Sequence, residues 1–371
     1  KEKRIELGKN AFSKMRPSSW ENAAIAYGSV FAELTNKAEA LSFELPAVDL
    51  AHLKEMTTDF GMLQFSQFCK PDPDSGYTLD DNARALIAAV MHYDTYKEAA
   101  VLKQIQTYLD FIGFVQMEDG TFKNYVDFER KFSAQNEEVN LEDSNGRALW
   151  ALGYLLSKTE LLPLELTNQA LKYWNKAFPV LVNFTSPRAI GFVIKGLYYS
   201  HLFSKDEVEV IVAKELAERL LQYYNLRSEA KWEWYEDYMT YANSILPEAM
   251  MYAFLMTDKT KYRQIAEITF DFLLSHYFMK GKIKVISNNG WFNKRNKRNF
   301  YGEQPIEVAY IIFSLDLFYE CTGESKYKNQ LEIAFSWFMG NNHLNQIMYN
   351  PANGACYDGL EKHHININQG A

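Results

Sequence analysis

The stretch Asn140-Leu141-Glu142-Asp143-Ser144-Asn145-Gly146-Arg147-Ala148-Leu149-Trp150-Ala151-Leu152-Gly153-Tyr154-Leu155-Leu156 decides how the chain is read. Charged and amide side chains crowd its first half, and nothing charged follows Arg147. A helix that is apolar on every side is buried on every side. The polar head therefore stands at the end of an interior helix and faces an internal opening.

The same device recurs along the chain. Apolar helices rich in small residues are expected at 83–91, 148–156, 189–197, 249–255 and 308–317. Alanine and glycine at this density let neighbouring helices approach closely. Amphipathic segments at 50–60, 100–115, 164–178, 206–224, 259–277 and 326–339 mix charges with apolar residues at helical spacing, as surface helices do. In 206–224, the spacing predicts that Val208, Ile211, Val212, Leu216 and Leu220 face inward while Glu207, Lys214 and Glu218 stay wet. Polar heads begin near residues 80, 142, 187, 243 and 303, so they recur every 45 to 62 residues. A roughly regular period means a repeated supersecondary unit, here a helical hairpin. Closing such hairpins into a ring gives an all-α (α/α)6 toroid over 46–371. A sixth head, Asn366-Ile367-Asn368-Gln369-Gly370-Ala371, has no helix after it. The toroid is thus expected to lack its last inner helix, or the count is off by one. Residues 1–45 read as an N-terminal helical extension and linker: helix, turn, helix over 5–36 with Ser18 or Ser19 as the cap, then a linker ending near Pro46.

Composition narrows the chemistry. The 371 residues are 47% hydrophobic and 15% aromatic, ample for a large core. A net charge of −8 and a pI near 5.5 argue against nucleic acid or an anionic membrane as the main partner. No run of about 18 apolar residues marks a membrane span. Cys69, Cys321 and Cys356 have neither metal spacing nor an even count, so reduced thiols in a cytoplasmic protein are expected. The first residues do not read as a signal peptide; a periplasmic or secreted protein whose signal has been removed stays open.

The heads bring particular side chains together. Tyr77, Asp80, Asp81, Asn82 and Arg84 form the first, and Glu142, Asp143, Asn145 and Arg147 the second. Arg188 follows Ser186-Pro187 in the third. The fourth holds Trp232, Trp234, Glu236, Asp237, Tyr241 and Asn243, the fifth Trp291, Glu303 and Gln304, and the last Asp358 and Asn368. Helix capping accounts for part of this. Thr78 with Asp81 fits a capping box, Asn140 with Asp143 fits one loosely, and Ser186-Pro187 is an ordinary helix start. Capping explains one acid per helix, but not acid pairs accompanied by arginines, amides and tryptophans.

That mixture suits a carbohydrate. Sugar rings offer a C–H face to aromatic rings and a rim of hydroxyls to carboxylates, amides and guanidinium groups. Glycoside cleavage needs one carboxylic acid to protonate the leaving oxygen and a second carboxylate as base or nucleophile. Crowding raises the pKa of one member of a carboxylate pair. Adjacent residues on a helix point about 100° apart, so only one of Asp80 and Asp81 can aim at a given bond. The expected catalytic pair is one of these two with an acid from Glu142, Asp143, Glu236, Asp237 or Glu303. The remaining head residues are expected to bind substrate. No His-x-x-x-His or Cys-x-x-Cys pairing suggests zinc, no glycine-rich phosphate loop follows a strand, and no Gly-x-Ser-x-Gly elbow occurs. No cofactor or metal is expected. The basic run Lys294-Arg295-Asn296-Lys297-Arg298 is a solvated loop, or a rim that meets an anionic sugar.

The ordered motifs Gly-Tyr-x-x-Asp-Asp-Asn-Ala-Arg-Ala at 76–85, Glu-Asp-Ser-x-Gly-Arg-Ala-Leu-Trp-Ala-Leu-Gly at 142–153, Ser-Pro-Arg-Ala at 186–189, Trp-x-Trp-Tyr-Glu-Asp at 232–237, Gln-Pro-Ile-Glu at 304–307 and the closing Asn-Gln-Gly-Ala resemble a bacterial family of six-hairpin glycosidase-like domains. The resemblance covers about residues 45–371. Members often follow a retaining GT-B, family 4-like glycosyltransferase domain on one polypeptide, and residues 6–34 look like the last helices of such a domain. This implies a glycosyltransferase domain or partner, but not transferase activity in this chain. The family's last motif runs into a Glu-Ser-Thr helix that this sequence lacks. The adjacent aspartates are also similar to those of six-hairpin mannanases. The expected function is a carbohydrate-active domain, chiefly a glycoside hydrolase of oligo- or polysaccharides. The alternatives are a non-catalytic glycan-binding domain assisting a glycosyltransferase, or a sugar epimerase or phosphorylase.

Overall fold

A computed structural model describes residues 2–35 and 45–370. The helices run in chain order: α1 (Glu2–Met15), α2 (Trp20–Thr35), α3 (Ala51–Met56), α4 (Leu79–Tyr96), α5 (Leu102–Val115), α6 (Glu142–Leu156), α7 (Leu164–Ala177), α8 (Pro187–Ser204), α9 (Glu207–Arg227), α10 (Ile245–Thr257), α11 (Thr260–Tyr277), α12 (Pro305–Thr322) and α13 (Ser325–Ser336). Strands are two-residue pairs in the connections. Two compact units emerge: a central unit of Leu53–Asp237 and Ala242–Leu273, and a terminal unit of Lys1–His52, Tyr238–Tyr241 and Leu274–Gly370.

In the central unit the expected apolar segments lie in α4, α6, α8 and α10, and the amphipathic ones in the helices between. Ser144 to Leu156 of α6 are buried without interruption. Helices α6 and α8 meet backbone to backbone because glycines face each other. A Cβ on Gly153 would stand 2.1 Å from the Gly196 carbonyl oxygen, and one on Gly196 would stand 2.6 Å from that of Leu149. No side chain fits there.

Two asparagines fix where the interior helices begin. Asn82 Oδ1 accepts from the Met62 amide at 2.8 Å, and its Nδ2 donates to the carbonyls of Met62 and Thr78. Asn145 repeats the arrangement with Phe122, at 2.8 Å in each direction, and with the Leu141 carbonyl. Each amide thus replaces one rung of a backbone ladder and satisfies groups that burial would otherwise leave unpaired.

Helix α9 is rotated from its sequence reading. Val212, Leu216 and Leu220 face inward as expected, but Val208 and Ile211 are exposed and Glu209 is buried. The reason lies on α8, where the hydroxyls of Ser200 and Ser204 each donate to the Glu209 carboxylate at 2.5 Å. The segment 50–60 is helical only to Met56. There the Thr58 hydroxyl accepts from the amides of Phe60 and Gly61 and offers the backbone a turn instead.

In the terminal unit, α12 and α13 form a hairpin. The N-terminal helices α1 and α2 are joined by a 3-10 turn (Arg16–Ser18), and Ser19 Oγ accepts from the Asn22 amide at 3.4 Å. Arg16 donates to the Ile347 carbonyl at 2.5 Å and lies 3.9 Å over the Tyr357 ring. Most of the expected linker ending near Pro46 lies outside the described residues. At the sixth polar head Gly359–Leu360 and Ile365–Asn366 pair as short antiparallel strands. No helix among the described residues is long and apolar enough to cross a membrane.

Candidate functional site

The head of α4 is built from its entry strand. Tyr77–Thr78 pairs with Tyr125–Val126, so the chain arrives extended and turns sharply into the helix. Thr78 Oγ1 accepts from the Asp81 amide at 3.1 Å and donates to Asp81 Oδ2 at 2.5 Å. The other Asp81 oxygen takes Arg84 at 2.5 Å. Asp80 is held by two guanidinium groups, Arg84 at 2.9 Å and, 67 residues away in sequence, Arg147 of α6 at 2.6 Å.

Two adjacent carboxyls are therefore displaced in opposite directions. Burial works to raise Asp80, but the charges of Arg147 and Arg84 prevail and hold it below the usual carboxylate value. Asp81 is displaced upward: burial raises it, the single Arg84 does not compensate, and the negative Asp80 beside it raises it further. Neighbouring carboxyls whose surroundings push their pKa values apart are candidates for acid and base roles.

The second head has the same residue types and a different use for them. Glu142 accepts from the amides of Thr185 at 2.7 Å and Ser186 at 2.6 Å and from the Thr185 hydroxyl at 2.9 Å. Asp143 accepts from the Ser186 hydroxyl at 2.7 Å. Both bind the start of α8, whose own N-cap is Ser186. The Asn140–Asp143 capping box does not form; Asn140 Oδ1 instead accepts from the Glu142 amide at 2.7 Å.

Arg188 joins the third head to the fourth. It grips both Glu236 oxygens, at 3.0 and 2.7 Å, and reaches Asn243 Oδ1 at 3.5 Å, all three residues being buried. Asp237 pairs with Arg227 at 3.1 Å. Trp232 and Trp234 are core residues packed around Phe272, and Tyr77 is buried against Phe60 and Phe128. None of the three offers a ring face to a ligand.

In the terminal unit, Glu303 is almost wholly buried and accepts from Lys284 Nζ at 2.6 Å and Trp337 Nε1 at 3.3 Å. His343 completes the group. Its Nδ1 lies 2.7 Å from Lys284 Nζ and 3.3 Å from Glu303, while Nε2 faces the Glu361 carbonyl at 2.9 Å. Gln304 precedes α12 without a side-chain cap bond. Tyr241 and Trp291 are exposed. Asp358, raised by burial, accepts from the Gly370 amide, and its own amide donates to the Asn368 carbonyl at 2.9 Å.

Sequence reasoning missed Lys284, His343 and a further buried pair, Lys195 of α8 with Glu248 of α10 at 2.7 Å. Burial lowers the Lys195 pKa although Glu248 opposes it, and its Nζ lies 4.0 Å over the Trp150 ring. The signal was available: Lys195 is the one charge inside the apolar run 189–197.

No protein-family model matches the chain, and no curated protein matches it. Solved structures do. A cellobiose 2-epimerase from Bacillus thermoamylovorans aligns with TM-score 0.64 at 14% identity over 92% of each chain. A D-mannose isomerase gives TM-score 0.62 at 14% identity, covering 86% of this chain and 88% of that one. An α-mannanase of glycoside hydrolase family 76 from Bacteroides thetaiotaomicron gives 0.52 at 12% identity, covering 77% and 79%. The fold is that of these proteins, the all-α (α/α)6 toroid.

Proposed function

We propose that this chain processes saccharides, and that it is a glycoside hydrolase whose acid–base pair stands at the head of α4. The observation that carries the reading is two adjacent carboxyls in unlike surroundings, Asp80 between Arg84 and Arg147 and Asp81 buried between Thr78 and Arg84 alone. Likeness to sugar-converting enzymes supports saccharide as the substrate class. Asp81, whose carboxyl is displaced upward by burial, is the group that gives a proton to the leaving glycosidic oxygen. Asp80, about 100° from it round the helix and held by Arg84 and Arg147, does not aim at the leaving oxygen. In place of the second acid expected from another head, it takes a proton from the water that adds to the sugar carbon. Arg84 and Arg147 keep Asp80 charged and fix its direction.

A second reading, epimerase or isomerase, is favoured by His343 beside Glu303 and Lys284, a group able to move a proton at a sugar carbon. One experiment separates the two. An oligosaccharide library is incubated in D2O with wild type, Asp81→Asn and His343→Gln, and the products are resolved by chromatography and mass. Shorter saccharides made by wild type and lost in Asp81→Asn support hydrolysis. Deuterium at carbon without chain shortening, lost in His343→Gln, supports the second reading. Binding without any product sinks both and leaves a glycan-binding domain.

A further inference from the structure

From Phe272 to Gly302 the chain carries seven lysines and arginines and no acid, within a protein of net charge −8. This stretch also holds an exposed tryptophan, Trp291, at 57%. The indole stacks on the ring of Tyr238, itself 38% exposed, with centroids 6.0 Å apart and planes 26° from parallel.

The pair is not loose surface. Tyr238–Met239 and Phe292–Asn293 are antiparallel partners, so both rings stand on one short ribbon. The loop after it is pinned twice. Asn293 Oδ1 accepts from the Arg295 amide at 3.0 Å, and the Asn293 carbonyl accepts from the Asn296 amide at 2.9 Å. At the loop's end Arg298 is largely buried and donates to the carbonyls of His276, Lys284 and Val285. Arg298 therefore anchors the loop, and Arg295 and Lys297 project from it. Both are exposed, and neither meets an acid among the described residues.

We propose that the Trp291–Tyr238 platform with Arg295 and Lys297 is a subsite for an acidic saccharide, one carrying carboxylate or sulfate groups; this names the substrate class and rests on the saccharide reading above. An exposed aromatic pair held rigid presents a flat apolar face to the C–H side of a sugar ring. Two cations with no acid to neutralise them complement an anionic substituent on that ring, and a guanidinium matches a carboxylate or sulfate in a two-point contact. A neutral glycan needs the platform but has no use for the cations.

The test measures binding apart from turnover. Carboxylated and sulfated oligosaccharides, each with its carboxyl-reduced or desulfated counterpart, are titrated calorimetrically into wild type, Trp291→Ala, the Arg295→Gln/Lys297→Gln double variant and, as a control, Lys280→Gln. Wild type is expected to prefer the acidic member of a pair by about tenfold, a preference that shrinks at high salt. The double variant should lose that preference and keep its neutral affinity, Trp291→Ala should weaken both members, and Lys280→Gln should match wild type. Carboxylated and sulfated arms report which anion is taken. Equal affinity for acidic and neutral members, no binding of either, or a preference that survives the double variant overturns the proposal. So does tighter binding of a single-stranded RNA oligomer through the same residues. If the subsite fails while Asp81→Asn still abolishes turnover, the hydrolase reading stands without it.

Discussion

The heads of α4 and α6 are near copies in sequence: two acids, an asparagine and an arginine within five or six residues. In both, the asparagine does the same structural work on a neighbouring backbone segment. The acids part company. At α6, Glu142 and Asp143 give their oxygens to the amides and hydroxyl that open α8. At α4 the oxygens face arginines, one of them Arg147 from the α6 head itself. One head is thus a joint between helices, and it lends its cation to a carboxylate of the other. A motif's residue types say which interactions are available; the partners that arrive from elsewhere decide which are made.

The largest effect that sharpens this contrast is on turnover. Asp81→Asn and Asp80→Asn should each lower kcat by about 10²- to 10⁴-fold, the range of general acid–base catalysis. Glu142→Gln should change it by less than about threefold, since the residue only holds α8. Saccharide turnover by the three variants, each checked for folding by circular dichroism, measures this. A Glu142→Gln variant as dead as Asp81→Asn would erase the distinction between the heads.

Next comes stability, where the two heads should behave alike. Asn82→Ala and Asn145→Ala each strand a buried amide and carbonyl, at a cost of about 2–3 kcal/mol in chemical denaturation. Glu142→Ala should cost about 1 kcal/mol, the scale of a lost helix cap. Outside both heads, Lys195→Met leaves Glu248 buried without its cation. About 3–5 kcal/mol should be lost, and much of it recovered in the Lys195→Met/Glu248→Leu double variant.

The smallest effect is on pH dependence, and its sign differs between the two aspartates. Asp80 has a folded-state pKa below the ordinary 3.8, so its contribution to stability is present above that pH and fades as the pH falls through the folded value. Asp81 has a folded-state pKa above 3.8, so its contribution is full below that pH and is lost as the pH rises through the folded value. Melting temperatures from pH 2 to 8 should show Asp80→Asn falling behind wild type as the pH rises towards 3.8, and Asp81→Asn gaining on it as the pH rises beyond that value. Parallel curves would mean the two carboxyls are equivalent.

What the sequence made legible was local. The Thr78 cap, the Ser186–Pro187 start and the long apolar runs of α6 and α8 are written in adjacent residues, and the structure has them. Contacts between distant residues were not legible. Nothing near Asp80 announces Arg147, and nothing near Glu303 announces His343, 40 positions on. Aromatic richness at 232–234 suggested a sugar platform, yet those tryptophans fill the core around Phe272, whereas Trp291 of the fifth head is exposed. Periodicity alone put Val208 and Ile211 inside; two serine hydroxyls on α8 turned the helix and buried Glu209 instead.

The central claim, a protonated Asp81 beside an ionised Asp80, can be read directly. Carbon-13 NMR of protein labelled at the aspartate carboxyl carbons, with Asp80→Asn and Asp81→Asn to assign the two signals, follows each titration. The account predicts that Asp80 stays ionised to below pH 3.8 while Asp81 takes up its proton above it. Two carboxyls titrating together at the ordinary value, or Asp81 titrating below Asp80, would contradict it.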